Sequence, residues 1–257
     1  MSSQAAVLRV EDLGVTYGAL VALQGMSWSV EAGQILGIIG PNGAGKSTCF
    51  DAVTNLVRRQ GRVFLKGEDI TDVPPHRLAS HGLRRGFQQN AFFDNLSVID
   101  NMVAVSQEEL GTGLAGCIFN PIRERRRYAE ARERAAERLE WIGIDRSQHE
   151  LLPTQISYGT QRMLSIALAY GGGADVLMLD EPAAGLGGTD LARLIALLRQ
   201  IRDRGVALIV IEHHMDLIMS IADKIVVLDQ GRMLATGRPA EIQANEAVLE
   251  AYLGRSA

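Results

Sequence analysis

Short apolar runs recur along the chain, separated by glycines and by longer amphipathic stretches. Ile35, Leu36, Ile38 and Ile39, then residues 176–179 and 206–211, are apolar and rich in β-branched side chains. Such runs read as parallel strands buried on both faces. Residues 7–17 read as an edge strand, 27–30 as a second strand, and 61–67 as a strand between glycines. Residues 83–87 read as another. Residues 224–229 and 233–236 form a strand pair around Gln230-Gly231. Helices are expected from Lys46 to about residue 56 and over 75–81, 190–204, 239–244 and 246–253. Strands alternating with helices give an α/β fold with a mostly parallel core sheet and an antiparallel β part at the start.

Between residues 89 and 153 the pattern turns helical. A helix is expected over 97–105, and a Gly-rich connector over 111–116. Asn120 then stands as an N-cap with Pro121 at the first helical position. Tyr128, Ala131, Ala135, Leu139 and Ile142 follow at helical spacing, carrying the helix to Trp141. Its opening is basic, at Arg123, Arg125, Arg126 and Arg127, which suits a solvated face or a contact with a partner or membrane surface. The chain reads as a single domain over 1–257, with a core of 1–88 and 161–257 and an inserted helical sub-domain over 89–160.

The run ending at Ile39 leads into G-P-N-G-A-G-K-S-T. Gly40, four residues, then Gly45-Lys46-Ser47 fit the P-loop pattern at all eight positions. Glycines let successive backbone N–H groups turn toward one phosphate, and the following helix adds its positive end. Lys46 supplies a cation for the β- and γ-phosphates, and the Ser47 hydroxyl can ligate Mg²⁺. The chain is therefore expected to handle a nucleoside triphosphate.

Composition narrows the setting. With 257 residues and 47% apolar content, a full core is within reach. The net charge of −4 offers no basic field for nucleic acid. Cys49 and Cys117 lack a paired or histidine-flanked pattern, so metal binding by cysteine is unsupported. Cys49 is expected to be a packed core residue. No apolar run approaches bilayer length, so the chain is expected to be soluble and to reach a membrane only through a partner.

An acidic element lies downstream. Val176-Leu177-Met178-Leu179 ends in Asp180-Glu181, an acid pair at a strand terminus. Ile156-Ser157-Tyr158-Gly159-Thr160-Gln161-Arg162 stands 23 residues before Asp180, counted from Ser157. That segment resembles the signature motif of ABC-transporter ATPases. With Tyr17, the P-loop, Gln88, Asp180-Glu181 and His213, the chain from about residue 7 onward resembles an ABC nucleotide-binding domain. D-E-P-A-A-G-L, S-Y-G, I-E-H-H-M-D-L-I-M and the terminal A-Y-L-G are similar to the LivG-type ATPases of branched-chain amino-acid importers.

The resemblance implies roles for individual residues. Tyr17 stacks on the adenine of ATP, and Gly40, Pro41, Asn42, Gly43, Ala44, Gly45, Lys46, Ser47 and Thr48 wrap its phosphates. Ser47, Gln88 and Asp180 attend Mg²⁺, Glu181 is the catalytic base, and His213 contacts the γ-phosphate. Gln89 and His214 are the competing assignments for Gln88 and His213. Ser157, Tyr158 and Gly159 act on nucleotide held by a second ATPase subunit, a paralogue or an identical copy. Transmembrane permease subunits and, indirectly, an extracytoplasmic solute-binding protein complete the expected assembly, on the cytoplasmic face of the membrane.

The chain departs from the general family pattern at Ile156, Tyr158 and Thr160, and again at Gly187-Gly188. Other readings remain open here: the ATPase of a different transporter such as a lipid exporter, a non-transport ABC ATPase, or a P-loop kinase.

Overall fold

A computed structural model describes residues 6–86, 91–106, 121–171 and 173–253. Contacts group the chain into two units. The first comprises Met1–Gln88, Ala174–Gly185 and Ile195–Ala257, and the second Gln89–Gly173 and Leu186–Leu194.

The first unit contains two sheets. Strands β1 (Ala6–Tyr17), β2 (Leu20–Glu31), β4 (Gln60–Leu65) and β5 (Glu68–Asp69) form an antiparallel sheet in the order β2-β1-β4-β5. Strand β1 is therefore internal and pairs on both sides, correcting the expected edge position. Alternation along one strand reports which face is buried, not how many neighbours it has. Strand β2 begins well before residue 27. Its first half exposes Leu20 and Val21 and passes Gly25 at φ 60, so it lacks the alternation that marks a strand.

The larger sheet is built from β3 (Ile35–Ile39), β6 (Leu83–Gly86), β7 (Val176–Asp180), β8 (Ala207–Ile211), β9 (Lys224–Asp229) and β10 (Arg232–Gly237). Their order is β10-β9-β3-β8-β7-β6, and only β10 runs antiparallel to its neighbour. Every residue of β3, β7 and β8 is buried, as a sheet covered on both faces requires. One hydrophobic core joins both sheets to helix α1 (Lys46–Val53), through residues such as Leu8, Val30, Ile38, Phe50 and Ile209. Cys49 lies fully inside it, and burial pushes its thiol up to about 12, so it behaves as a small apolar residue.

The second unit is helical. Helices α3 (Val98–Ser106), α4 (Pro121–Ile142) and α5 (Tyr158–Tyr170) follow the short α2 (Leu78–His81) of the first unit. Ala131, Ala135, Leu139 and Ile142 are buried along α4, whereas Tyr128 is 46% exposed and its hydroxyl donates to Asp100 Oδ1 at 2.9 Å. Arg125 and Arg126 are exposed, as a solvated face would be. The expected boundary at residue 160 falls inside the first turn of α5. The helix stays whole in the second unit because Met163, Leu164 and Ala167 bury one continuous face. The connector at 111–116, Asn120, Cys117 and Gln88 lie outside the described residues.

Helices α6 (Gly188–Asp203), α7 (Met215–Ile221), α8 (Pro239–Gln243) and α9 (Glu246–Leu253) complete the chain. The β9–β10 turn ties three parts of the first unit together. Gly231 N–H donates to Ala44 O at 3.0 Å, and Gln24 N–H donates to Gly231 O at 2.8 Å. Gly231 adopts φ 75, and a Cβ there would collide with Ala22 O. The Gly231→Ala variant is expected to lose about 2 kcal/mol of stability in urea unfolding, from strain and the displaced turn.

Candidate functional site

Strand β3 ends by delivering Gly40, whose φ is 154 and whose missing Cβ leaves room for Leu228 O. The loop closes at Gly45, φ 100, against Leu23 Cδ2 and Ala22 O. Helix α1 begins there without a side-chain cap, and its backbone ladder starts with Cys49 N–H to Gly45 O at 2.8 Å. The N–H groups of Lys46, Ser47 and Thr48 precede that ladder, so the helix presents its donor end at the loop. Lys46 Nζ donates to Gly40 O at 2.7 Å and Pro41 O at 3.0 Å, and the residue is only 7% exposed. Burial lowers its pKa, while Glu181 and Asp180 oppose that shift.

Those acids stand at the end of β7. Asp180 is buried, and burial raises its carboxyl above the usual range against the pull of Arg85. Arg85 Nη2 lies 3.6 Å from Asp180 Oδ2, and Arg85 Nη1 lies 2.6 Å from Asp51 Oδ1 on α1. Arg85 also covers the Phe50 ring, 5.6 Å from its centroid. Glu181 takes a left-handed backbone, φ 48, held by its N–H to Ile211 O at 2.9 Å. Its Oε1 meets His213 Nε2. His214 instead occupies the N-cap position of α7.

Between them lies Glu212, 2% exposed. Burial raises its carboxyl, and backbone bonds from Ala183, His213 and His214 pull it down. The sequence reading missed both Glu212 and Arg85. Glu212 carried a usable signal, a charged residue directly continuing an apolar strand, the same signal that marks Asp180.

A cleft of about 550 Å³ brings the phosphate loop, Glu181 and His213 together, while Asp180, Arg85 and Glu212 lie behind its lining. Tyr17, Asn42 to Thr48, Glu181 and His213 line it, together with Leu20, Val21, Ala22, Gln230 and Gly231. The latter five were not anticipated; they come from the unread half of β2 and the β9–β10 turn. Tyr17 is 47% exposed at the cleft, so its ring is available to a flat ligand. From the far end of the chain, the Tyr252 hydroxyl takes a backbone hydrogen bond from Gly40. Donor-rich backbone, one ammonium and an accessible aromatic ring suit a nucleoside polyphosphate. Among the described residues no three His, Cys, Asp or Glu cluster as a metal site. A Mg²⁺ held largely by phosphates and water needs no such cluster.

Ser157, Tyr158 and Gly159 lie in the second unit. Ser157 caps α5, accepting from Thr160 N–H at 3.2 Å, and its Oγ lies 3.0 Å from Thr160 Oγ1. Thr160 thus braces the serine through both its amide and its hydroxyl. Gly159 is required sterically, because a Cβ would collide with the Asp190 carboxylate. Tyr158 is exposed.

A phosphate loop at one strand end, an acid pair at the end of another and a histidine after a third define a P-loop ATPase of α/β fold. The chain belongs to the ABC transporter family, whose pattern matches residues 23–184, and it is an ATP-binding, ATP-hydrolysing subunit of that family. Residues 232–257 match a second pattern, described as branched-chain amino acid ATP-binding cassette transporter. The high-affinity branched-chain amino acid transport ATP-binding protein BraF of Pseudomonas aeruginosa is 38% identical over 252 residues, covering 97% of this chain and 98% of that protein. The LivG protein of Escherichia coli is 35% identical over the same shares. The lipopolysaccharide export ATP-binding protein LptB of Haemophilus influenzae is 29% identical, covering 96% and 97%. The crystal structure of an ABC-transporter ATP-binding cassette in its ADP conformation superposes with a TM-score of 0.84 at 26% identity, covering 98% of this chain and all of that one. No described helix is long and apolar enough to cross a membrane.

Replacing Arg85 with Met keeps the stem and removes the charge that faces Asp51 and Asp180. The Arg85→Met variant is expected to lose about 3 kcal/mol in urea unfolding at pH 8. Asp180, already raised by burial, would rise further, so the folded state would bind a proton more readily than the unfolded chain. The deficit relative to wild type should therefore shrink as pH falls from 8 toward 5.

Proposed function

We propose that this subunit energises import of branched-chain or related amino acids, acting on the cytoplasmic face of a membrane with permease subunits. The observation that carries the reading is the single cleft shared by Tyr17, the phosphate loop, Glu181 and His213. The match of residues 232–257 and the similarity to BraF and LivG support the choice of solute. A second ATPase subunit, a paralogue or an identical copy, and an extracytoplasmic solute-binding protein belong to the assembly; nucleic acid does not.

Tyr17 stacks on adenine, and Gly40, Pro41, Asn42, Gly43, Ala44 and Gly45 wrap the phosphates with Lys46 and Thr48. Ser47 and Asp180, with Gln88, would hold Mg²⁺, which supplies positive charge at the β- and γ-phosphates. Glu181 accepts a proton from the attacking water, and His213 steadies the γ-phosphate end. The Glu181–His213 contact supports this pairing of roles, since the two side chains meet there. Ser157, Tyr158 and Gly159 serve the nucleotide held by the partner ATPase. Ser157 caps that helix, and the positive end of a helix at this point is suited to an anion.

The LptB similarity favours one rival, a lipid exporter driven by the same machinery. Copurified permease and ATPase subunits, reconstituted in proteoliposomes with the solute-binding protein, distinguish the two. ATP-dependent uptake of labelled leucine, lost in Lys46→Ala, is the expected result; ATP-dependent lipid extraction without uptake would replace this reading with the rival. In the same assembly Glu181→Gln should still bind ATP and accumulate an ATP-bound dimer, while turnover falls on the order of 10²–10⁴-fold. Turnover within threefold of wild type would remove Glu181 from the base role.

A further inference from the structure

Strand β8 carries five buried apolar residues and is continued by a carboxylate that is also buried, Glu212. Both of its oxygens meet backbone. Oε1 accepts from Ala183 N–H at 2.7 Å, and Oε2 accepts from His213 N–H at 3.2 Å. Glu212 is absent from the lining of the cleft, so it reaches nucleotide only through other residues.

The two donors lie on opposite sides of the Glu181–His213 contact. Ala183 follows Glu181 by two residues on the loop after β7, and His213 follows Glu212 directly on the chain after β8. The last rung between these strands is Glu181 N–H to Ile211 O at 2.9 Å. Beyond it the strands diverge, and the Glu212 side chain supplies one further rung, to Ala183. A closed ring results, running from the Glu181 side chain to His213, through the His213 N–H to Glu212, and through Ala183 back to Glu181. Glu181 also sits at φ 48, a conformation that persists for glutamate only where its surroundings impose it. An apolar residue at 212 would fill the space and leave the buried Ala183 amide unsatisfied.

We infer that Glu212 is a positioning residue: its buried carboxylate clamps the loop that carries Glu181 to the backbone of His213 and thereby sets the spacing of the base and the histidine. The inference rests on the roles proposed for those two residues. The P-loop and Tyr17 have no part in the ring, so ATP binding and turnover should separate when the ring is opened.

The test is Glu212→Gln, which keeps size and one acceptor but turns an amide group toward a backbone donor. In the assembled transporter kcat is expected to fall on the order of 10–10²-fold with KM for ATP within twofold of wild type. In the isolated full chain, nuclear magnetic resonance should show the Ala183 and His213 amide protons moving upfield and exchanging faster. Glu212→Asp, which retains charge with a shorter reach, should recover part of kcat. A kcat within twofold of wild type, unchanged Ala183 and His213 amides, or a KM rising in step with the loss of kcat would each overturn the inference. Glu181→Gln, measured alongside, keeps the two levels apart. Full turnover in that variant with a displaced Ala183 amide in Glu212→Gln would overturn the base assignment and leave the clamp standing.

Discussion

Strands β3, β7 and β8 are buried on both faces, so the sheet can offer polar groups only where these strands end. They run parallel, and their ends therefore lie on one rim. Gly40 leaves β3, Asp180 and Glu181 leave β7, and Glu212 and His213 leave β8. Desolvation is the leading influence on three of the charges gathered there, lowering Lys46 and raising Asp180 and Glu212. Burial of this kind disfavours the charged form of each group. Added phosphate charge would therefore act on groups that are already poorly hydrated, where electrostatic interactions are strong.

The second constraint is close backbone approach. Gly40 passes under Leu228 O, while Gly45 and Gly231 both crowd Ala22 O. These contacts bind the phosphate loop to the β9–β10 turn and to the start of β2, which lie far apart in sequence. The wall around Tyr17 draws on these three segments, and the close approaches come where a glycine of the loop or the turn meets a carbonyl. Glycine is needed at those points for space as much as for conformational freedom.

Legibility followed range. The buried strands, the P-loop and the acid pair were plain in the sequence because each is a local pattern with a single meaning at that spacing. Neighbour relations were not. Whether β1 lies at an edge depends on β4, and nothing within residues 7–17 records that partner. The first half of β2 escaped notice because its exposed Leu20 and Val21 face a cleft, so the usual alternation is absent. Helix α7 is seven residues long, too short for periodicity to declare it. Arg85 was hidden differently: its partners Asp51 and Asp180 come from other elements, and its own strand, Leu83–Gly86, has the look of a solvated edge. Glu212 was visible as a charge at a strand end. Its neighbour His213 drew the functional reading, and only the folded chain pairs Glu212 with Ala183.

The strand order also governs how the protein must be made. Strand β3 pairs Ile35 with Leu208 on one side and Leu36 with Lys224 on the other. During synthesis the phosphate loop therefore emerges early, next to an apolar strand whose two neighbours do not yet exist. The antiparallel β1–β2 hairpin can close at once, but the rim has to wait for β7, β8 and β9. Non-local pairing of this kind slows folding and leaves apolar surface uncovered meanwhile. Nucleotide can stabilise the fold only at the last stage, once β8 and β9 have arrived, so it rewards completion and cannot guide the early steps.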